Sequence, residues 1–216
     1  LQVKNESGHG ISPYYTGYIK ILNTIVKDCS WNGGIRIYSA GSTVIANCII
    51  YNNSDYGIYK DTNGAHLGSN THYIYNCTVC NNDGYGLQCS SYRSFVVKNT
   101  YAGNNTTADY GTNGGWTLTT CYSSDGSQST TTAAYSTTSG AYFTNLTSGS
   151  EDFHIQSSSA LIGNGTDLSS DSVYAFSDDI DGDTRGTDWD VGADEYVSSG
   201  TSVTVSLSDL AGTGTI

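Results

Sequence analysis

The stretch IANCIIYNN, residues 45–53, returns little changed as IYNCTVCNN at residues 74–82. Looser copies flank the pair: ILNTIVKD from Ile21, VKNTYAGNN from Val97 and LTTCYSSD from Leu118. The anchor residues Asn23, Asn47, Asn76 and Asn99 step by 24, 29 and 23 residues (47 − 23, 76 − 47, 99 − 76), and Thr120 takes the fifth place. A second anchor, a glycine before Ile or Leu, keeps the period at Gly10, Gly34, Gly57 and Gly86. Short β-prone runs, Asn at corners and a period near 24 describe one coil of a parallel β-helix. A coil cannot bury its own apolar face, so coils must stack. Asn tolerates the left-handed backbone of a tight corner, and its amide can bond the next coil. Gly is expected to supply the bend before the next strand.

Alternation along each copy then assigns columns. Thr24, Cys48, Cys77, Thr100 and Cys121 share one inward column, and Val26, Ile50, Val79 and Ala102 the next. The predicted fold is all-β: a right-handed parallel β-helix, the hand following the general rule for parallel crossovers. Residues 1–125 form its coils, 126–196 irregular coils and an acidic C-terminal cap, and 197–216 a linker and an extra strand.

Composition agrees. The 216 residues carry 8 Lys plus Arg against 20 Asp plus Glu, a formal charge of −12, with 26 Gly, 18 Tyr and 1 Pro. The acidic balance disfavours nucleic acid and anionic membranes as partners. The aromatic content and low charge density exclude a disordered chain. No apolar run is long enough to span a membrane. The first residues, LQVKNESGHGI, match the second half of a repeat, so a neighbouring coil or subunit is expected to stack there. Val203, Val205 and Leu207 alternate with polar residues and read as a one-faced strand, either the start of a further domain or an addition to a sheet edge of this chain or another copy.

Several groups could carry chemistry. Asp179, Asp181 and Asp183 offer oxygens at alternate positions around Gly182, the way a hard cation such as Ca²⁺ is wrapped. The same residues could simply cap turns, with Arg185 paired to one of them. His66 and His72 fall in the longest repeat, where DTNGAHLGSNTHY reads as a loop protruding from a coil and a place for a glycan. Of six cysteines, Cys48 and Cys77 stack close enough for a disulfide, and Cys80 and Cys89 could bridge one coil at the surface; buried thiols fit equally. Sequons mark Asn5, Asn52, Asn104, Asn105, Asn145 and Asn164 as glycosylation candidates. Tyrosines 51, 56, 59, 73, 75, 85 and 92 sit beside corners, either covering sheet faces or meeting sugar rings or subunits.

The IxNCxxxxNN repeats, DFHIQSSSALIGNG at residues 152–165 and DDIDGDTRGTDWDVGADEY at 178–196 resemble bacterial surface-type right-handed parallel β-helix proteins with a C-terminal DxDGxxR…DIGAYE signature. The chain departs from that pattern at Ala160, which lacks a preceding Pro, and at Asp194, where Tyr is usual. The resemblance implies an extracellular or cell-surface protein of structural or adhesive role, with no activity specified; the mid-coil start and the surplus strand add the expectation that copies self-assemble end to end into a filament. Gly8-His9-Gly10 and Gly34-Ile35-Arg36-Ile37 resemble two motifs of polygalacturonase-type glycosidases, which are also β-helices; there the His assists an acid pair and the Arg binds a sugar carboxylate. That gives the alternative, a fragment of a polysaccharide-active enzyme or a tailspike-like glycan binder. No carboxylate pair near His9 is legible, so binding is expected over catalysis. Partners are therefore expected to be further copies of the chain or a surface glycan.

Overall fold

The computed structural model describes residues 1–4, 7–13, 17–38, 41–61, 70–90, 94–128 and 131–198. The chain winds as a parallel β-solenoid of about five turns, about 23 residues to the turn, with a small antiparallel pair near the C-terminus and no helix among the described residues. The extra strand expected around Val203, Val205 and Leu207 lies outside the described residues, as do His66 and Asn5.

The first coil contributes β1 (Gln2–Lys4). The second carries β2 (Ile19–Leu22), β3 (Ile25–Lys27) and β4 (Ile35–Ile37), and the third β5 (Thr43–Ala46), β6 (Ile49–Tyr51) and β7 (Ile58–Lys60). The fourth carries β8 (Thr71–Tyr75), β9 (Thr78–Cys80) and β10 (Tyr85–Cys89), and the fifth β11 (Ser94–Lys98), β12 (Tyr101–Gly103) and β13 (Ala108–Tyr110). Then come β14 (Gly115–Thr119), β15 (Tyr122–Ser123), β16 (Thr131–Thr132), β17 (Phe143–Asn145) and β18 (Asp152–Ile155). Three parallel sheets result, ordered β1-β3-β6-β9-β12-β15-β16, β2-β5-β8-β11-β14 and β4-β7-β10-β13; β17 and β18 pair antiparallel.

The repeat columns are the register. Val26 pairs with Ile50, Ile50 with Val79 and Val79 with Ala102, all without solvent exposure. The corner residues Asn23, Asn47, Asn76 and Asn99 take φ between 45° and 50°, and Thr120 takes 48°. Asp28, Asn52, Asn81 and Asn104 repeat this at the next corner, with φ between 54° and 59°. Short polar side chains are the non-glycine residues that enter this region most cheaply.

Beside that second corner a buried ladder runs along the axis. The N–H of Cys29 donates to Asn53 Oδ1 (3.1 Å), that of Asn53 to Asn82 Oδ1 (3.2 Å), that of Asn82 to Asn105 Oδ1 (3.1 Å), and that of Asn105 to Asp109 Oδ1 (3.2 Å). The glycine column serves this ladder rather than a bend. Gly34, Gly57 and Gly86 have no left-handed φ; instead a Cβ at Gly57 would lie 2.5 Å from Val79 Cγ1 and 2.9 Å from Asn82 Nδ2. Glycine is needed there for close approach, not for backbone freedom.

All six cysteines are buried free thiols. Cys48, Cys77 and Cys121 stack in the expected column, each thiol donating to the carbonyl two residues earlier (Ala46, Tyr75 and Thr119) at 3.2–3.3 Å. Cys80 and Cys89 lie on strands of different sheets and are fully buried, not at the surface. Burial pushes the Cys77 and Cys80 thiols up, and that of Cys121 to about 11, so these side chains behave as small apolar fillers.

The C-terminal segment is a strap rather than an end plug. Its backbone reads the corner asparagines: Asn47 Nδ2 donates to Asp178 O (2.8 Å), Asn76 Nδ2 to Asp190 O and Gly192 O (3.2 Å each), and Asn99 Nδ2 to Thr166 O (2.7 Å). Arg185, 4% exposed, donates to Glu195 Oε2, to Asn47 Oδ1 and to the carbonyls of Asp178, Gly192 and Ala193. Leu168, Phe176 and Trp189 cover Val44, Ala46 and Tyr75 on the outside of the β2-β5-β8 sheet. Phe143, Phe153, Leu161 and Val191 cover Tyr51 and Tyr101 on the outside of the β6-β9-β12 sheet. The β4-β7-β10-β13 sheet contributes to neither cluster.

Candidate functional site

The outer side of that third sheet gathers charge and aromatic rings. Arg36 is the middle residue of β4, flanked by the inward Ile35 and Ile37, so alternation turns it outward. Its Nη1 lies 2.9 Å from His9 Nε2, and its Nη2 donates to the buried carboxylate of Asp61, just past β7. Its guanidinium also stands 4.9 Å from the Tyr38 ring centroid. Burial and the Arg36 charge depress the His9 pKa below its ordinary value, so the imidazole is neutral at pH 7 and accepts from Arg36.

Tyr59 follows Arg36 in the outward column of the next coil. The Tyr56 ring stacks on Tyr59 at 4.4 Å and 17°, and on Tyr85 of the following coil at 6.1 Å and 4°. Trp31 stacks on His9 at 6.1 Å and 10° while remaining 65% exposed. Burial, reinforced by Asp61, raises the Tyr59 hydroxyl to about 12, so it stays a donor. The site is thus a row of partly exposed rings spanning three coils, with an indole at one end and a fixed Arg–Asp pair between.

No protein-family model, curated protein or solved structure matches the chain. The function must therefore be read from the geometry.

The sequence pointed to His9 and Arg36, and the fold brings them into contact. It did not point to Asp61 or Trp31. Both stand where the repeat imposes no residue type, so no periodic signal marks them. His72 is corrected: it is not in a protruding loop but within β8, 1% exposed, with its ring edge-on to Phe95. Its position opposite Phe95 in the register puts it in a ladder.

Asp179, Asp181 and Asp183 do not converge. Asp179 is fully buried; its Oδ1 accepts the N–H groups of Asp181, Gly182 and Asp183 at 2.9 Å each, and its Oδ2 accepts that of Glu195 at 3.0 Å. It shapes the turn by occupying the backbone nest itself. Asp181 turns instead to His154, and Asp183 is exposed. Among the sequons, Asn104 and Asn164 are exposed, Asn52 donates to Glu151 (2.7 Å), and Asn145 donates to Ser150 O (2.8 Å). Asn105 is 8% exposed with its amide in the core ladder, where no glycan can be attached in the folded chain.

A second polar feature is a cleft of about 610 Å³ lined by Asp28, Asn52, Asn81, Asp83, Asn104 and Ser148. Its amides are already linked to one another, Asn104 to Asn81 and Asn81 to Asn52. They close the corner rather than await a ligand.

Proposed function

We propose that this chain is an extracellular, surface-displayed adhesive protein that binds carbohydrate on the β4–β7–β10 face of its solenoid. One observation carries the reading. The C-terminal strap covers aromatic and aliphatic side chains outside two sheets, while the third keeps stacked tyrosines, an exposed Trp31 and the Arg36–Asp61 pair away from both of those clusters. The C–H face of a pyranose is apolar and its rim is hydroxyl. Flat rings with fixed donors and acceptors between them complement both. The solenoid repeats its outward columns every 4.7–4.9 Å or so, about the advance of one sugar along an extended glycan.

The charge on Arg36 is matched by Asp61 and the chain is strongly acidic, so the glycan is neutral rather than polyanionic. Inverting hydrolysis needs two carboxylates about 6.5–9.5 Å apart, whereas Asp61 is held in an ion pair with Arg36. The expected outcome is binding without cleavage. The resemblance of the repeats and of residues 178–196 to bacterial surface proteins agrees with display outside the cell.

A glycan array followed by calorimetry on the hits tests this. Trp31→Ala and Tyr59→Ala should each weaken binding at least about tenfold, as loss of a central aromatic anchor does, while Ser170→Ala on the strap leaves it unchanged. An array without hits, or both aromatic variants binding like the parent, overturns the proposal. Release of new reducing ends would replace it with the hydrolase alternative.

A further inference from the structure

The strap carries a second cluster, far from the aromatic face in sequence and built by different elements. His154, on β18, places Nε2 3.0 Å from Asp181 Oδ2. Its Nδ1 bonds Asp152 Oδ1, two residues back on the same strand. Asp194 completes the group: one ligand atom each from His154, Asp181 and Asp194 lies within 4.8 Å of the others. Asp194 is buried, and its Oδ2 accepts the Ile155 N–H at 2.8 Å, which fixes that carboxylate while Asp181 and His154 remain exposed.

His154 and Asp194 also form a wall of a cavity of about 290 Å³ with an apolar floor of Ile25, Ile49, Tyr51, Phe153 and Ile180. Glu151 lines the same cavity, and its Oε2 is buried with no hydrogen-bond partner among the described residues. The Glu151 Oε1 already accepts from Asn52 Nδ2 (2.7 Å) and the Gly149 N–H (3.0 Å), so the ligand atoms that converge beside the cavity are those of His154, Asp181 and Asp194.

We propose that His154 Nε2, Asp181 and Asp194 bind a divalent transition-type cation such as Zn²⁺, with Asp152 as the positioning carboxylate and a coordination position open to the cavity. Ligand atoms around a tetrahedral ion at 2.0–2.2 Å stand about 3.3–3.6 Å apart. The observed spread closes to that by small rotations of the two exposed side chains, with Asp194 as the fixed point. Once His154 has given up its Nε2 proton to solvent, a neutral imidazole and two carboxylates match a divalent charge. The imidazole selects borderline metals over Ca²⁺ or Mg²⁺, which prefer all-oxygen shells. Asp152 on Nδ1 is the carboxylate–histidine arrangement that orients the ring, so that Nε2, which stands against Asp181 Oδ2 here, exchanges its proton for the ion. The site does not depend on the carbohydrate reading.

Calorimetry on the full chain with Zn²⁺, and the visible spectrum with Co²⁺, test it. One ion should bind per chain, with Co²⁺ bands of an N/O site and no thiolate charge-transfer band. Millimolar Ca²⁺ should not compete. His154→Ala should weaken binding at least about a hundredfold, and Asp152→Asn tenfold to a hundredfold. In the unsubstituted protein, Zn²⁺ should shift the His154 Nε2 resonance and leave those of His9 and His72 in place, which decides the matter even if a variant fails to fold. No binding, a thiolate band, Ca²⁺ competing on equal terms, or an unmoved His154 resonance overturns the proposal.

Discussion

At the scale of the residue, the fold depends on side chains that accept a left-handed backbone at each turn. Asn23, Asn47, Asn76 and Asn99 do this, and Thr120 does it with φ 48° despite its β-branch. That conformation costs a β-branched residue about 1 kcal/mol or more. Thr120 Oγ1 donates to Asn99 Oδ1, the bond that Asn99 Nδ2 makes to Asn76 one coil earlier. Thr120→Asn therefore keeps the donor and removes the strain. It should raise the thermal midpoint by about 2–4 °C, the shift about 1 kcal/mol gives a domain of this size. A fall on calorimetry would mean that the corner does not set the conformation at Thr120.

At the scale of the element, the coils are joined by backbone ladders and also by the buried column Asn53, Asn82 and Asn105 that Asp109 terminates. Asp109 is fully buried, and its Oδ2 accepts the Ser124 N–H and hydroxyl at 2.7 Å each. Asn82 is the middle rung. Its Oδ1 takes both the N–H and the Nδ2 of Asn53, and its Nδ2 reaches Cys80 O and Asn105 Oδ1. Asn82→Ala orphans those groups in a dry interior, at about 1–3 kcal/mol for each buried group left unpaired. A loss of at least about 2 kcal/mol in urea unfolding is expected. A loss under 0.5 kcal/mol would show that the rungs are independent of one another. The column is the second Asn of each NN pair, which the repeat displays without showing what it bonds. The repeat did not reveal Asp109, which stands outside the NN motif and reaches the ladder only because the chain turns back after Asn105.

At the scale of the whole molecule, the strap decides which surfaces remain available. It binds through Arg185 and through Asp190, whose Oδ1 accepts the Gly163 N–H at 2.7 Å and whose Oδ2 accepts that of Tyr196 at 2.6 Å. Burial is the main cause of the rise in the Asp190 pKa, to about 6 from 3.8; Glu195 adds to it, while those two N–H bonds and Arg185 oppose it. A carboxyl whose folded pKa is raised stabilises the fold fully below its unfolded value. That contribution is lost as pH rises through the folded value. Asp190 should thus favour the docked strap at pH 4 and progressively less up to pH 7. Asp190→Asn cannot ionise, so its midpoint relative to the parent should climb between pH 4 and pH 7. A constant difference across that range would show that Asp190 is ionised throughout.

The sequence alone determined the solenoid. Corner residues must tolerate positive φ and inward columns must alternate, so spacing and periodicity expose both, and the observed register is the alignment of the repeats. It also singled out His9 and Arg36, through the likeness of their motifs to those of polygalacturonase-type glycosidases. Only the tertiary structure decided what the corner asparagines do with their spare amide protons. Asn47, Asn76 and Asn99 spend them on the strap, 67 to 131 residues away, and no local pattern encodes that distance. It also took the folded chain to bring Asp61 to Arg36, and Asp181 and Asp194 to His154. Those residues lie outside the repeated motif, where one copy says nothing about the next. Arg36 meets Asp61 because their coils stack, and His154 meets Asp181 and Asp194 because the C-terminal segment folds back on itself.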